Sequence, residues 1–217
     1  KLHLKTALLP GQTIQISTPF RVKIPSSDFS RLGHSKQQYQ LCQWYPKPAV
    51  YDRKGWHPMP YLNQGEFYSE FASFKVSITL PENYVLAASG NMDANPEEEQ
   101  RILDNIRQTD EYLQKGFPAK DTFPPSSAKL KTVTYRLDSV HDFAWFADKR
   151  YHIMVGEAQL DGSGKTIDTY AYFCNKNAKE WSKAVEYTAD ALKHYSKLVG
   201  DYPYAVCKVV DGALSAG

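Results

Sequence analysis

The sequence lacks the compact motifs that hold a catalytic metal. Its six histidines are scattered, no two of them lie four residues apart, and no cluster of cysteine and histidine occurs. An H-E-x-x-H zinc site needs two imidazoles one helical turn apart, so that both point at one ion. We therefore predict neither a metal site nor a metal-dependent catalytic residue within these 217 residues.

Two other catalytic signatures are also absent. The segment 161–165 reads Asp-Gly-Ser-Gly-Lys, but no apolar strand run leads into Ser163 and no helix follows it directly, so it is not a nucleophile elbow. Its glycines also lack the leading spacing of a phosphate-binding loop. We expect a polar hairpin turn here.

The sequence has no strong charge bias and no long apolar run. Its 26 basic and 24 acidic side chains give a net charge of +2, which does not indicate nucleic acid as a partner. No apolar run approaches the roughly 18 residues of a membrane helix, so no transmembrane segment is predicted.

The chain has three cysteines, Cys42, Cys174 and Cys207. An odd number argues against a fully paired disulfide framework and favours buried thiols. Their redox state and the compartment stay open.

Aromatic residues are plentiful, at 13% of the chain, and suit a β-rich fold. Alternating polar and apolar residues predict most elements of the first 90 or so residues. The predicted strands are Thr13–Ser17, Phe20–Ile24, Tyr39–Trp44, Phe67–Leu80 and Tyr84–Ala88.

A helix interrupts this β pattern. Asn95 and Pro96, followed by three glutamates, predict a helix start, and Gly116 predicts its end. This mostly polar helix and the loop after it indicate an insertion at about residues 92–130. Further strands are predicted at Lys131–Leu137 and within Phe143–Glu157.

The last third of the chain has a different pattern. A strand over Thr166–Phe173 precedes a long helix that we expect Asn177 to cap, and a short apolar strand follows at Ala205–Val210. Strand, helix and strand in this order predict an α/β unit. We place a domain boundary in the Gly-rich turn, which divides the chain into residues 1–163 and 164–217.

The segment from residue 44 to 68 is unusually rich in aromatic residues and proline. One interpretation is a carbohydrate-binding platform, because aromatic faces stack on sugars. The other is that a proline-rich loop is wedged onto the sheet by Trp44, Tyr45, Tyr51 and Trp56. Glu66 and Glu70 would share one face of a strand and line a cleft, or they are solvated surface charges. The residues alone leave both pairs of alternatives open.

Residues 43–49 read Gln-Trp-Tyr-Pro-Lys-Pro-Ala, and residues 74–84 read Phe-Lys-Val-Ser-Ile-Thr-Leu-Pro-Glu-Asn-Tyr. In this order they resemble the Q-F-E-P-x-x-A segment and the F-x-V-x-I-x-x-P-x-x-Y strand of the aminopeptidase N-type zinc metallopeptidase family (the gluzincin aminopeptidases), in particular a bacterial branch. Phe143–Ala147 is similar to the last strands of the family's N-terminal domain. Gly200–Tyr204 is similar to the G-x-Y-P-Y turn near the start of the catalytic domain.

The resemblance implies a mainly β fold: a partial, saddle-like β-sandwich N-terminal domain with a helical insertion, then the first strand–helix–strand of a thermolysin-like α/β domain. In the family, a G-x-M-E-N motif and the H-E-x-x-H zinc site follow these elements. We therefore expect an N-terminal fragment that ends before the zinc site at about Gly217, lacks earlier strands before Lys1, and is inactive alone.

The family's activity is assigned, through the resemblance, to the parent protein: removal of N-terminal residues from peptides with zinc as cofactor. The expected partners of this piece are the rest of its own catalytic domain and, in the parent, peptide substrates. By position, Gln64 and Glu66 are the candidates for binding the substrate's α-amine, although the expected Cys and Asp are missing nearby. The bacterial branch suggests export to the periplasm, which the residues themselves do not decide. The alternative is a carbohydrate- or protein-binding β-sandwich that uses the aromatic segment 44–68.

Overall fold

The computed structural model describes residues 2–26, 31–60, 62, 65 and 67–213. Strands dominate this part of the chain, so the prediction of a mainly β fold is confirmed. The strands are β1 (Leu32–Ser35), β2 (Gln38–Leu41), β3 (Val50–Asp52), β4 (Gly55–His57), β5 (Ala72–Pro81), β6 (Val85–Ala88), β7 (Asn91–Met92), β8 (Leu130–Val140), β9 (Trp145–Asp148), β10 (His152–Gln159), β11 (Thr166–Phe173) and β12 (Val206–Val210). The helices are α1 (Pro96–Lys115), α2 (Ala178–Trp181) and α3 (Ala184–Val199).

Two antiparallel sheets pack face to face as a sandwich. The first sheet has the strand order β1-β2-β9-β6 and the second has the order β5-β8-β7. Alternate residues of each strand point into the space between them, as the period of a strand requires. The buried residues of this core are Ile78, Leu80, Tyr84, Leu86, Ala88, Val133, Tyr135, Phe143 and Ala147.

A third sheet covers the opposite face of the first one. Leu86 and Ala88 of β6 point into the sandwich, whereas Ala87 between them packs in one cluster with Ile153 and Tyr172 of the third sheet. This third sheet has the order β10-β11-β12. The first sheet is thus the middle layer, and strand β6 is buried on both of its faces.

The third sheet contains the α/β unit expected after residue 164. Strands β11 and β12 pair in parallel, and α2 and α3 lie between them in sequence. Helix α3 packs closely on the sheet at Gly156, where a Cβ atom would lie only 3.2 Å from Cβ of Val185. The strand–helix–strand arrangement is therefore present, although β12 is half-buried and not buried on both faces.

The turn at residues 161–164 joins two paired strands. Strands β10 and β11 pair along their full length, from His152 opposite Phe173 to Gln159 opposite Thr166. The Leu160 amide donates to the Lys165 carbonyl and the Gly164 amide donates to the Leu160 carbonyl, each at 2.9 Å, so the predicted hairpin turn is confirmed. The division into domains 1–163 and 164–217 stays a prediction, and β10, from the N-terminal side of that boundary, shares its sheet with β11.

Helix α1 begins and ends where the sequence predicts. The Asn95 side chain accepts a hydrogen bond from the Glu98 amide at 3.2 Å. The polar helix also contacts the third sheet, because the Asn105 amide donates to the Tyr151 carbonyl at 2.8 Å and its oxygen accepts from the Ile153 amide at 2.8 Å. The loop and helix predicted as an insertion are therefore tied into the core by specific polar contacts.

Two strand predictions near the start of the chain are wrong. The segments Thr13–Ser17 and Phe20–Ile24 alternate as strands do, yet residues 2–25 contain no helix or strand. Ile16 and Phe20 are 60% and 50% exposed. A strand needs a hydrogen-bonded neighbour, and no strand within the described ranges pairs with this segment.

The prediction of one long helix capped by Asn177 is also wrong. The helix is divided into α2 and α3 at Ser182 and Lys183, and the Ser182 hydroxyl donates to the Lys179 carbonyl at 2.9 Å. Asn177 makes no side-chain cap; its amide instead donates to both carboxylate oxygens of Asp211, at 2.8 and 2.9 Å.

A half-buried lysine, Lys208, fixes β12 to the first sheet. Lys208 Nζ donates to the carbonyls of Ala88 and Gly90 at 2.7 and 2.6 Å, and it lies 4.9 Å from the centre of the Tyr135 ring. Because burial penalises the charged form, the pKa of Lys208 falls to about 7.

We predict that Lys208 makes stability depend on pH above neutrality. Between pH 7 and 10 the unfolded state keeps the Lys208 proton and the folded state loses it, so this group's contribution to stability rises with pH. The unfolding free energy should therefore rise on the order of 2–4 kcal/mol more over this range than that of Lys208→Met, at about 1.4 kcal/mol per pKa unit.

Urea unfolding at several pH values measures the difference. Lys120→Met, at an exposed position, is the control and should follow the unsubstituted chain throughout. Parallel pH profiles for Lys208→Met and the unsubstituted chain would contradict this account of Lys208.

Candidate functional site

The aromatic and proline-rich segment forms one wall of a surface cleft, which we call the aromatic cleft. Its volume is about 470 Å³, within the range of ligand-binding clefts. The described residues that line it are mostly apolar, with a few polar groups among them. They are Gln43, Tyr45, Lys47, Pro48, Ala49, His57, Pro58, Met59, Pro60, Phe67 and Tyr68.

Trp44 attaches this segment to the sandwich. Its indole nitrogen donates to the Phe143 carbonyl at 3.0 Å, and its ring meets the Trp145 ring edge-on at 6.5 Å. The neighbouring Tyr45 ring meets the Phe74 ring edge-on at 5.6 Å. The interpretation of Trp44 as a structural wedge is therefore correct, and these contacts hold the inner wall of the cleft in place.

The backbone beside Trp44 has an unusual conformation. Gln43, which lines the cleft, has a φ of +56°, in the left-handed region that side-chain-bearing residues rarely adopt. Such a conformation costs on the order of 1–3 kcal/mol and persists where the surrounding contacts enforce it, often at binding sites. Trp44, anchored immediately after it, supplies such contacts.

Lys47 lies in the cleft wall and is neutralised by Asp142. Its Nζ atom is 3.1 Å from a carboxylate oxygen of Asp142, and it approaches the Tyr45 and Phe67 rings to 5.6 and 5.7 Å. Burial, then the charge of Asp142 and a hydrogen bond to Asp142, raise the pKa of the Tyr45 hydroxyl, so Tyr45 stays protonated and its proton is engaged with Asp142.

A short β-hairpin, β3–β4, stands beside the cleft. Tyr51 and Trp56 are cross-strand neighbours on it, with ring centres 4.9 Å apart and planes inclined by 55°. They are 66% and 68% exposed, so Trp56 is not a wedge against the sheet.

One carboxylate braces this hairpin. Asp52 contacts His57 Nε2 at 2.8 Å and accepts the Lys54 amide at 2.8 Å. The hydrogen bond with His57, followed by the one from the Lys54 backbone, holds the pKa of Asp52 below its usual value. His57 lines the cleft, so this contact joins the hairpin to the cleft wall.

The residues predicted to bind a substrate amine, Gln64 and Glu66, lie outside the described residues. They stay predictions, and the same holds for a pairing of Glu66 with Glu70. Glu70 is exposed and precedes β5, which begins at Ala72 and not at Phe67 as predicted. Glu70 is therefore not part of a strand, as the prediction that it shares one strand face with Glu66 requires.

The cysteines are free thiols, and burial raises the pKa of each. Cys174 is buried, as expected, whereas Cys42 and Cys207 are half-buried. Desolvation is the largest cause in all three, and it raises the pKa of Cys42 to about 11. A thiol with a raised pKa is a poor nucleophile, so these cysteines have the character of packing residues.

Within the described ranges, no group of three or more His, Cys, Asp or Glu side chains could hold a metal ion. The same part of the chain includes no helix with the length and apolarity to cross a bilayer. Lys47 and His57, the basic groups of the aromatic cleft, are each engaged with a carboxylate. The arrangement suits the binding of a ligand better than acid–base chemistry.

A buried polar cluster at the end of β12 was not predicted. The Gln38 amide donates to the Asp211 carbonyl at 2.7 Å and to the Tyr151 hydroxyl at 3.0 Å, and the Asp211 carboxylate binds Asn177 and the Cys174 amide. These partners are far apart in sequence, so no local spacing could identify them.

Comparison with known proteins gives no assignment. No protein-family model matches the sequence, and curated proteins include no significant match. Among solved structures, the chain is similar to a mutant of a two-domain M1 zinc metallopeptidase bound to L-arginine, with a TM-score of 0.39 and 18% identity. The match covers 65% of this chain and 26% of that chain, so this chain matches about a quarter of that protein. A TM-score at this level assigns neither family nor activity.

We predict that replacing Trp44 by phenylalanine lowers the unfolding free energy, whereas the same replacement at Trp56 barely changes it. Trp44→Phe leaves the buried Phe143 carbonyl without its donor and should lower the unfolding free energy by about 1–3 kcal/mol. Trp56→Phe, on the exposed hairpin, should change it by less than about 0.5 kcal/mol. Denaturant titration of the two variants measures both unfolding free energies. Equal losses of unfolding free energy would contradict the account of Trp44 as an anchor and Trp56 as an exposed side chain.

Proposed function

We propose that these residues are the noncatalytic N-terminal β domain, with the first strand–helix–strand of the catalytic domain, of a zinc aminopeptidase of the aminopeptidase N type. The observation that carries the proposal is the resemblance of several segments in the family's order. The structure adds that three of these segments contact one another: Trp44 and Tyr45 of the first segment touch Phe143 and Phe74 of two others. The Tyr204 hydroxyl of the last segment donates to the Ser139 carbonyl of β8 at 2.8 Å.

An open sheet edge and an uncovered helix face support the presence of a further domain. Strand β12 pairs on one side only among the described strands. Beside it, Tyr195, Leu198 and Val199 of α3 are 63%, 64% and 83% exposed, although they belong to the apolar stripe of that helix. In the proposed enzyme, the rest of the catalytic domain covers this apolar surface and extends the sheet.

In this proposal, the β domain caps the active-site cleft and restricts it to free peptide N-termini. The described residues offer no ligand set for zinc, so the ion and its activated water belong to the parent's catalytic domain. This chain contributes the aromatic cleft, with its neutralised Lys47 and the Tyr45 hydroxyl, as a wall for substrate.

The parent gene provides the decisive test. Its codons after Gly217 should encode a Met-Glu pair and then H-E-x-x-H. The full-length protein should bind one zinc ion and release free amino acids from unblocked peptides, and the 217-residue chain alone should do neither. A parent sequence that contains neither motif would contradict the proposal. A full-length protein that has the fold but binds no zinc in a titration would be a pseudo-enzyme.

The exposed Tyr51–Trp56 pair favours a second candidate, a carbohydrate- or protein-binding module. Large aromatic side chains with this exposure are suited to stacking on a ligand. The 55° inclination of the rings argues against a single flat platform for sugars. On a glycan array, this candidate requires binding that Trp56→Ala abolishes and that Tyr187→Ala, at a similarly exposed aromatic on α3, leaves intact.

A further inference from the structure

A second cavity, which we call the Lys208 cavity, lies where β12 meets the first sheet. Its volume is about 230 Å³, and Lys208 lines it together with residues 87–90 at the end of β6. Most of the wall is apolar and includes Leu137, Val140, Ala144, Phe146, Val206 and Val210. A cavity of roughly 150 Å³ in another protein accommodates benzene. The Lys208 cavity therefore has room for a molecule with several carbon atoms.

Lys208 brings a positive charge into this cavity without a counter-charge. Its Nζ atom donates to the carbonyls of Ala88 and Gly90 at 2.7 and 2.6 Å, which uses two of the three N–H groups of an ammonium. Among the described residues, no oxygen accepts the third N–H and no carboxylate pairs with Lys208. The face of the Tyr135 ring, 4.9 Å away, compensates the charge only in part. One donor and one positive charge are left for a ligand.

The titratable groups that face Lys208 are neutral around pH 7. Tyr135 of β8 lies beside its Nζ atom, and Tyr170 is its neighbour on β11. Tyr202 and Cys207 line the cavity. Burial raises the pKa of all four groups, so the three phenols and the thiol keep their protons.

Two further polar groups near the cavity are already engaged. The Tyr204 hydroxyl, on the cavity wall, donates to the Ser139 carbonyl at 2.8 Å. The Glu98 carboxylate, whose charge acts on Tyr135, is held by Lys131 at 2.6 Å. A ligand that neutralises Lys208 must therefore supply the negative charge itself.

The site is accessible, and its acceptors are held in place. Leu137, Val140 and Val206 of the wall are half-buried, so the cavity can be reached from solvent. Gly90 has a φ of +77°, and a Cβ atom there would lie 2.1 Å from the Arg136 carbonyl oxygen. This close approach fixes the backbone that orients the Lys208 ammonium, so little conformational entropy is lost on binding.

The ligand that fits this site is a small acid with one negative charge and an apolar chain. One carboxylate provides the missing acceptor and neutralises the ammonium in a charge-assisted hydrogen bond. A second negative charge would meet no partner in the apolar wall, and a cation would be repelled. A hydrocarbon chain loses only unfavourable hydration when it lies against residues such as Leu137 and Phe146.

We propose that the Lys208 cavity binds a short apolar monocarboxylate, whose carboxylate pairs with Lys208 Nζ and whose chain lies along the apolar wall. This inference goes beyond the proposed aminopeptidase function, since it needs neither zinc nor a peptide. It gives the lysine between β12 and the first sheet a role in addition to attaching the strand.

The test is an NMR titration of the 217-residue protein with sodium hexanoate at pH 6 and pH 8, observed through the backbone amides. Hexanoate should shift the amide signals of Ser89 and Gly90. Its Kd should rise about 10-fold from pH 6 to pH 8, because binding requires charged Lys208, whose pKa is about 7 without ligand. Hexanamide, which has the same chain and no charge, should bind at least about 5-fold more weakly at pH 6.

Three variants locate the site. Lys208→Met keeps the length of the side chain and removes the ammonium, so it should raise the Kd for hexanoate at least about 10-fold at pH 6 and remove the pH dependence. Lys120→Met, at an exposed position, is the matched control and should change neither. Ala144→Leu fills part of the cavity while Lys208 stays in place, and it should weaken binding several-fold. Circular dichroism confirms that each variant is folded.

Several results would overturn the inference. They are equal Kd values for hexanoate and hexanamide, equal Kd values for hexanoate at pH 6 and pH 8, unchanged binding by Lys208→Met, and no binding by the unsubstituted chain. If the parent gene extends the chain, loss of hexanoate binding in the longer protein would show that its remainder supplies the anion, which also overturns the inference. None of these results depends on the parent's zinc-site motifs, so the two proposals fail separately.

Discussion

The burial of β6 on both faces is the constraint on which the rest of the structure depends. Leu86 and Ala88 complete the sandwich, and Ala87 contacts the third sheet. A strand in the middle of three layers has no solvent-facing side, so any polar group on it or on its neighbours needs a partner within the protein. Gln38 of β2 meets this demand through Asp211 and Tyr151. Gln40, two residues along the same face, is 1% exposed, and its side-chain amide finds no hydrogen-bond partner among the described residues.

The same layering explains how β12 is positioned. Near its middle, Lys208 binds carbonyls at the end of β6, and just after it, Asp211 is held by Gln38 and Asn177. The parallel pairing with β11 sets the register of β12, and the hydrogen bonds at these two points attach the strand to the first sheet as well. The cost is a buried ammonium without a carboxylate partner, which appears as the lowered pKa of Lys208.

The sequence allowed good prediction where local chemistry determines the outcome. Helix α1 follows from Asn95, Pro96 and Gly116, and most of β5 and β8 follows from alternation. Alternation was insufficient at residues 13–24, because pairing depends on a neighbour that no local pattern encodes. Asn177 was misassigned because Asp211 competes for its amide. At the candidate site, the segment 44–68 was recognised as unusual, but its division into a buried anchor and an exposed hairpin depends on long-range contacts. Gln64 and Glu66 stay predictions.

The charges of the aromatic cleft argue for a binding role over a catalytic one. A general acid or base needs a proton that can move during the reaction, and an electrostatic catalyst needs a charge directed at the substrate. Lys47 and His57 are instead turned toward Asp142 and Asp52, where their interactions hold the wall and the hairpin together. The described wall of the aromatic cleft therefore offers shape and apolar surface, and its basic groups serve to hold the wall and the hairpin in place.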